Sequence, residues 1–458
     1  MQSALRMVPP GVAPPEKPLG RIAFISRYVR NPLSIVPREA YEEDFLPVRS
    51  RRGPIAWITA PSLIRAVLVD EREKFRKLAQ IRLLGPLLGK GILTSEGADW
   101  RWQRRATAPV FRHQDLMTFV PTFVRLAERA LERWRASPMG TVQPIERDMT
   151  AVTFDVISAT LLPSADRTVA PAVERATGSF QRSGAWAQLY AVANVPRWVP
   201  QPGRLSMASA VRTLRSSVAR LLAERRASGG DSGAPDDLLH RLIAARDPES
   251  GQAMNDEQLI DNLLTFYLAG HETTAKALTW TLFLLSRSPQ WASALEEEVE
   301  RVTGGAPVDA THIEHLRLVQ QVLKESMRIY PPVPMMSRQA VEDVRIDGHP
   351  IRAGTSVVIP IYAIHRHRRR WQDPDAFDPE RFAPEREEGI PRYQYIPFGA
   401  GPRICVGNAF AMIEATAILA TLARRARFHP VEGHQPEPIA RVTLVPRGGM
   451  PLKVSLRS

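Results

Sequence analysis

The sequence predicts a mainly α-helical protein with a small β-rich region. Stretches with helical spacing cover most of 117–222, then 255–286 and 316–330, whereas strand-like alternation is confined to 47–59, 332–338, 344–360 and the C-terminus. A hydrophobic fraction of 44% over 458 residues is enough for a sizeable core. No segment reads as an independent linker, so one large fold is as compatible with the length as about three ordinary domains.

Composition narrows the function classes. The one cysteine, Cys405, excludes a disulfide framework and a cysteine-based zinc site, and it suits a reducing cytoplasm. The net charge of +13 comes mostly from arginine, scattered rather than striped. An acidic protein partner or an anionic membrane surface therefore fits better than nucleic acid. The most membrane-like stretch, 259–285, is interrupted by Asp261, Asn262, His271, Glu272 and Lys276, and reads as a buried core helix. The first twenty residues are a proline-rich, extended lead with no apolar signal segment. Residues 1–46 thus read as lead and first helix, ahead of a main domain over 47–458.

The elements follow in order. Residues 47–59 form a short hairpin turning at Gly53-Pro54, and Pro61 opens a helix over 61–69, since proline is tolerated at the first helical position. Residues 75–95 read as loop; the apolar Ile81, Leu83, Leu84, Leu87 and Leu88 between glycines serve either as a buried lid or as the lining of a lipophilic pocket. Trp100 and Arg104 lie four apart on one helix face, where an arginine can also simply snorkel. Within 117–222 there is no chemical motif, and Trp186, Tyr190 and Trp198 read as core. Residues 229–237 are loop by composition. Asn255-Asp256 with Gln258 close behind starts the long helix.

Midway along that helix, Ala269-Gly270-His271-Glu272-Thr273-Thr274 is locally unfavourable. It is either a satisfied polar patch that bends the helix or a functional site, with Gly270 making room over a flat cofactor while Glu272 and Thr273 deliver protons. Glu325 and Arg328, three apart, can pair on one face. Residues 344–360 alternate around turns at Asp347-Gly348 and Ala353-Gly354. The basic run 365–370 reads as solvated surface, and 441–456 as a terminal hairpin. The pairs His312/His315 and His365/His367 lack a third convergent ligand, which argues against a histidine metal site.

The most informative stretch is 398–407, Phe-Gly-Ala-Gly-Pro-Arg-Ile-Cys-Val-Gly. An apolar helical pattern follows it, so the sulfur of Cys405 sits just before a helix N-terminus, where unpaired amides and the dipole favour a thiolate. Gly399, Gly401 and Gly407 let the backbone approach something flat, and Arg403 is placed to pair with an anionic group on it. A haem held by a cysteine thiolate has every one of these features.

This stretch resembles the haem-binding loop of the cytochrome P-450 family, and four further motifs appear in the family's order: Trp-x-x-x-Arg, the Gly270–Thr273 patch, Glu-x-x-Arg and Pro-Glu-Arg-Phe at 379–382. The resemblance covers nearly the whole chain from about residue 47 and implies a single large P-450 fold of the soluble bacterial type, a monomer with no transmembrane anchor. It implies haem b with Cys405 as axial ligand of the iron. Trp100, Arg104 and Arg338 then bind propionates; Arg403, Phe398 and Gly399 belong to the haem loop, and Ala269 and Gly270 lie over the haem. Glu272 and Thr273 are the implied catalytic proton relay. Glu325, Arg328 and Arg381 are implied to be structural. Leu83, Leu84, Phe266, Ala269 and Val333 are expected around an apolar substrate.

The implied reaction is monooxygenation of a lipophilic small molecule by O2, a hydroxylation or epoxidation. The chain has neither a Rossmann glycine fingerprint nor cysteines for an iron–sulfur cluster. Electrons from NAD(P)H must therefore arrive through a ferredoxin and its reductase or a flavoprotein reductase, with an acidic partner docking on a basic face near Cys405. The alternatives are a peroxide-driven or rearranging haem-thiolate enzyme, which the intact Glu272-Thr273 pair disfavours, and a non-catalytic haem-binding protein.

Overall fold

The structure, a computed structural model, describes residues 7–50, 53–138, 140–161, 186–187, 189–191, 195–196, 198–227 and 237–457. Its longer helices are α1 (Arg21–Arg30), α2 (Leu78–Leu88), α3 (Gly97–Thr107), α4 (Val120–Arg135), α5 (Ile145–Leu161), α6 (Arg204–Ala227), α7 (Asp256–Ser286), α8 (Pro289–Thr303), α9 (Arg317–Ile329) and α10 (Asn408–Arg425). The 31-residue α7 is the axis of the packing. Its start is fixed by a capping box, in which Asn255 accepts from the Gln258 N–H and the Gln258 side chain accepts from the Asn255 N–H. It is apolar on nearly every side, so it must be covered on every side. Helices α5, α6, α9 and α10 all pack against it.

The β-rich region is a five-stranded sheet in the order β1-β2-β8-β5-β3, built from β1 (Phe45–Ser50), β2 (Gly53–Ile58), β3 (Phe75–Arg76), β5 (Met336–Ala340) and β8 (Ser356–Ile359). Strands β1 and β2 pair antiparallel from Phe45↔Ile58 to Ser50↔Gly53, so Gly53 and Pro54 open β2 and are not the turn expected there. β5 starts only at Met336, leaving Val333 in the preceding irregular stretch. The two C-terminal strands do not pair with each other as a hairpin. β11 (Leu444–Pro446) pairs with β10 (Pro438–Ala440), while β12 (Pro451–Leu456) joins β4 (Val142–Pro144) and β9 (Ala426–Pro430). A small hairpin of β6 (Val344–Ile346) and β7 (His349–Ile351) turns at Asp347-Gly348, both at positive φ.

Two other expectations are corrected. Residues 78–88 are helical despite Gly85 and Pro86, because Leu84, Leu87 and Leu88 fall on one face and pack against Val211 and Met207 of α6. Burial of that face outweighs the weak local propensity. Trp186 and Trp198 are not core; they are 41% and 81% exposed. The loop at 229–237 lies outside the described residues except for Asp237, which caps the helix Leu238–Ala244.

The run 365–370 is only partly the solvated face expected: Arg368 and Arg369 are exposed, but its first half is not. His365, Arg366 and His367 are buried, with the Arg366 guanidinium 3.8 Å above the Tyr362 ring. The reason lies in α9. Glu325 accepts from Arg328 Nε at 2.7 Å and Nη2 at 2.8 Å, and from Arg381 Nε at 3.3 Å. Arg328 then donates to the carbonyls of His365, Pro374 and Ala376. The proline-rich lead is strapped to the same region, as the Tyr330 hydroxyl donates to Pro10 O and the Val12 N–H donates to the Tyr362 hydroxyl.

Two predictions follow from this buried network. Glu325→Ala leaves two arginines buried without their carboxylate and should cost about 3–5 kcal/mol of unfolding free energy; a loss under about 1 kcal/mol in urea denaturation contradicts the packing. The His365 pKa is pushed down to about 3, first by burial and then by Arg328 and Arg366. The unfolded chain takes up this proton near pH 6.5 while the native chain refuses it, so stability is complete above about 6.5 and falls as pH drops toward 3. His365→Gln, which keeps an acceptor for the Ile396 N–H, should remove about 2 kcal/mol of the stability difference between pH 6.5 and 5. An unchanged difference contradicts the neutral buried imidazole.

Candidate active site

A cavity of about 1120 Å³ lies between the middle of α7 and the loop that precedes α10. The loop is shaped by its glycines. Gly399 and Gly401 take positive φ, and a Cβ at Gly401 would collide with the Leu68 carbonyl, so no other residue fits there. The Cys405 N–H donates to Phe398 O at 3.0 Å and closes the loop. Cys405 keeps accessible surface, and it lines the cavity. Burial pushes its thiol pKa up, while the Gly407 N–H and the Arg104 guanidinium pull it down. The helix-end contribution read from the sequence is present, but desolvation outweighs it.

One end of the cavity is crowded with cations. Arg403 Nη2 pairs with Glu96 Oε2 at 2.8 Å, and its guanidinium lies 4.2 Å from the Trp100 ring centroid. Arg338 donates to Ser337 O at 2.8 Å. The Arg104 guanidinium has no hydrogen-bond partner among the described residues, although it is half-buried. Lys77, buried, donates to Leu93 O at 2.6 Å. Burial, together with repulsion from Arg403, holds Arg338 down to about 10; for Lys77, burial plus Arg403 and Arg338 gives about 7. Glu96 is the carboxylate that Lys77, Arg338 and Arg403 all share. So many cations around one acid form a ready site for further carboxylates, and the propionates of a haem fit that donor set. The space between this loop and α7, lined by Cys405, fits the rest of the group.

On the opposite wall, Thr273 Oγ1 donates to Ala269 O at 2.7 Å and Thr274 Oγ1 to Gly270 O at 3.2 Å. These bonds satisfy both hydroxyls within the polar patch, and the helix runs through it unbroken. The Glu272 carboxylate accepts from Thr443 Oγ1 at 2.9 Å. A Cβ at Gly270 would point at Ile157 of α5, so its missing side chain lets α5 approach α7, while the residue also lines the cavity. His271 turns away into the core, its Nδ1 2.8 Å from Tyr267 O and its ring edge-on to Phe154.

The cavity lining brings together Trp100, Arg104, Ala269, Gly270, Glu272, Thr273, Arg338, Phe398, Gly399, Arg403 and Cys405. Its apolar part includes Leu83, Leu84, Phe266 and Val333. Glu325, Arg328 and Arg381 stand outside it, in the buried network beneath. Sequence reasoning missed Lys77, Ile157 and Thr443. A lone lysine, isoleucine or threonine carries no motif, and only the tertiary structure collects them. Pro15, Lys17, Pro18 and Phe24, from the lead and α1, also line the cavity.

Comparison with known proteins agrees with this geometry. A family profile described as Cytochrome P450 matches residues 32–454. Cyclooctatin synthase of Streptomyces melanosporofaciens is 32% identical over 435 residues, 94% of this chain and 93% of the relative. Cyclooctat-9-en-7-ol 5-monooxygenase of the same organism is 29% identical over 430 residues, 92% of each chain. Pentalenene oxygenase of Streptomyces avermitilis is 28% identical over 451 residues, 98% of each chain. No helix among the described residues is long and apolar enough to cross a membrane. The chain belongs to the cytochrome P450 family, and it is a haem-thiolate monooxygenase of the bacterial type.

Proposed function

We propose that this enzyme inserts one atom of O2 into a cyclic terpenoid, and that the residues around the cavity divide the work as follows. The observation that carries the reading is the juxtaposition of an apolar chamber with Cys405 on one wall and Glu272 and Thr273 on the other. When bound, the haem supplies the electron and oxygen chemistry, and a thiolate ligand favours O–O cleavage. Cys405 would bind the iron through its sulfur. Trp100, Arg104, Arg338, Arg403 and Lys77 would hold the propionates, and Ala269, Gly270, Phe398 and Gly399 would line the group.

Leu83, Leu84, Phe266 and Val333 hold the substrate and exclude water, which suits a hydrocarbon with few polar anchors. The three bacterial relatives bear names of cyclic terpenoids or their oxidation, which supports that class. Glu272 and Thr273 pass two protons to the oxygen side of the cavity. Overall, substrate, O2, two electrons and two protons give hydroxylated product and water. The electrons come from NAD(P)H through a ferredoxin with its reductase or a flavoprotein reductase. The enzyme acts as a cytoplasmic monomer with haem b.

The test is turnover of a panel of cyclic terpenes with ferredoxin, reductase, NADPH and 18O2. Product carrying one 18O atom is expected; oxygen drawn from water, or turnover supported by peroxide alone, contradicts the reading. Fatty acids turned over while every terpene is refused overturns the substrate class. Arg338→Ala should speed haem transfer to apomyoglobin tenfold or more, in line with about 1.5–3 kcal/mol for a charge-assisted hydrogen bond. An unchanged transfer rate removes its propionate role. Turnover with an acidic ferredoxin should fall several-fold as salt rises from about 0.05 to 0.5 M, because screening shortens the reach of surface charge; salt-independent turnover argues against a basic docking face.

A further inference from the structure

We propose that Thr443 is the positioning residue for the Glu272 carboxylate, and through it for proton delivery at the oxygen side of the cavity. The inference rests on the reading of Glu272 as a relay acid and goes one residue further. Thr443 Oγ1 donates to Glu272 Oε1 at 2.9 Å across 171 positions of sequence. A threonine hydroxyl has one proton to give, and here it is spent on the carboxylate.

The hydroxyl is held rigidly. Thr443 is 3% exposed and lies in the short turn between β10 and β11. Its carbonyl accepts from the Arg441 N–H at 2.8 Å, and the Leu444 N–H donates to Pro332 O at 2.9 Å. Trp280 Nε1 on α7 donates to Leu444 O at 2.9 Å, tying the turn to the helix that carries Glu272. On the other side, Asn31 accepts from the Ala440 N–H and donates to Pro438 O. The donor that meets the acid therefore cannot drift with the side chain it orients.

Position gives the contact a functional meaning. Thr443 and Val442 both line the cavity, and Val442 packs in the apolar cluster with Leu84, Leu87 and Leu268. One turn thus presents an apolar side chain to the substrate chamber and, at the next residue, a hydroxyl to the acid. A glutamate has one more methylene than an aspartate and more rotamers to lose; a fixed donor selects among them.

The test compares Thr443→Val, nearly isosteric but without the hydroxyl, with Thr443→Ser, which restores it. Glu272→Gln and the Thr443→Val/Glu272→Gln pair complete the cycle. Haem content and the carbon monoxide band report an intact site. The expected result is that Thr443→Val keeps both, binds substrate within about twofold of wild type and loses at least fivefold in product formed per NADPH, the balance appearing as peroxide or water. Its solvent isotope effect should rise. Thr443→Ser should recover most of the coupling, and the double variant should be no worse than Glu272→Gln. Should Thr443→Val fail to take up haem, Thr443→Ala, which cannot overpack the turn, supplies the same comparison. If Glu272→Gln uncouples the enzyme while the Thr443 variants do not, Thr443 has no positioning role and the relay reading stands. If Glu272→Gln leaves coupling unchanged, the relay reading fails and the positioning role fails with it.

Discussion

The architecture depends on one buried carboxylate. Glu325 holds Arg328 and Arg381 where no water can replace it. Arg328 in turn fixes the carbonyl of His365, whose Nε2 accepts from the Ile396 N–H at 2.9 Å. Ile396 lies two residues before Phe398, where the loop that carries Cys405 begins. A line of hydrogen bonds therefore runs from α9 to the cysteine loop without passing through the cavity. A buried ion pair is weak evidence of net stability, but breaking one is costly. Its value here is positional, since it sets where the sulfur stands relative to α7.

That placement creates an electrostatic imbalance that only a ligand relieves. Lys77, Arg338 and Arg403 share the Glu96 carboxylate, and desolvation pushes Lys77 and Arg338 toward their neutral forms. The Cys405 thiol is pushed toward its neutral form as well. An iron porphyrin with carboxylate arms answers both, bringing anions to the cations and a metal cation to the sulfur. The opposite wall is organised differently. There a neutral hydroxyl from a distant turn meets the acid, and the Thr273 and Thr274 hydroxyls bond back to carbonyls of their own helix.

Legibility in the sequence followed the range of the interaction. The capping box of α7, the Cys405 loop and the Glu325–Arg328 pair are spelled within a few residues, and each is found where the residues put it. The helix at 78–88 was hidden by Gly85 and Pro86, because its reason for being helical is Leu84, Leu87 and Leu88 against α6. The first half of the run at 365–370, His365 to His367, looked like solvated surface because charge predicts exposure until a buried partner appears. Its partners are aromatic rings and the carbonyl network of Arg328. The C-terminal strands could not be paired from alternation alone, which says nothing of which neighbour a strand will choose. Lys77 and Thr443 were silent for the same reason: a single side chain acquires a role only when the fold brings its partner from far along the chain.

The measurement that tests the central claim most directly is the carbon monoxide difference spectrum of the reduced protein, recorded for wild type and for Cys405→Ser. The account predicts a strongly red-shifted Soret band in the wild type that is lost in the variant, since only a thiolate opposite the carbon monoxide gives that shift. Absence of haem, or a band in the wild type like that of a histidine-ligated globin, would contradict it.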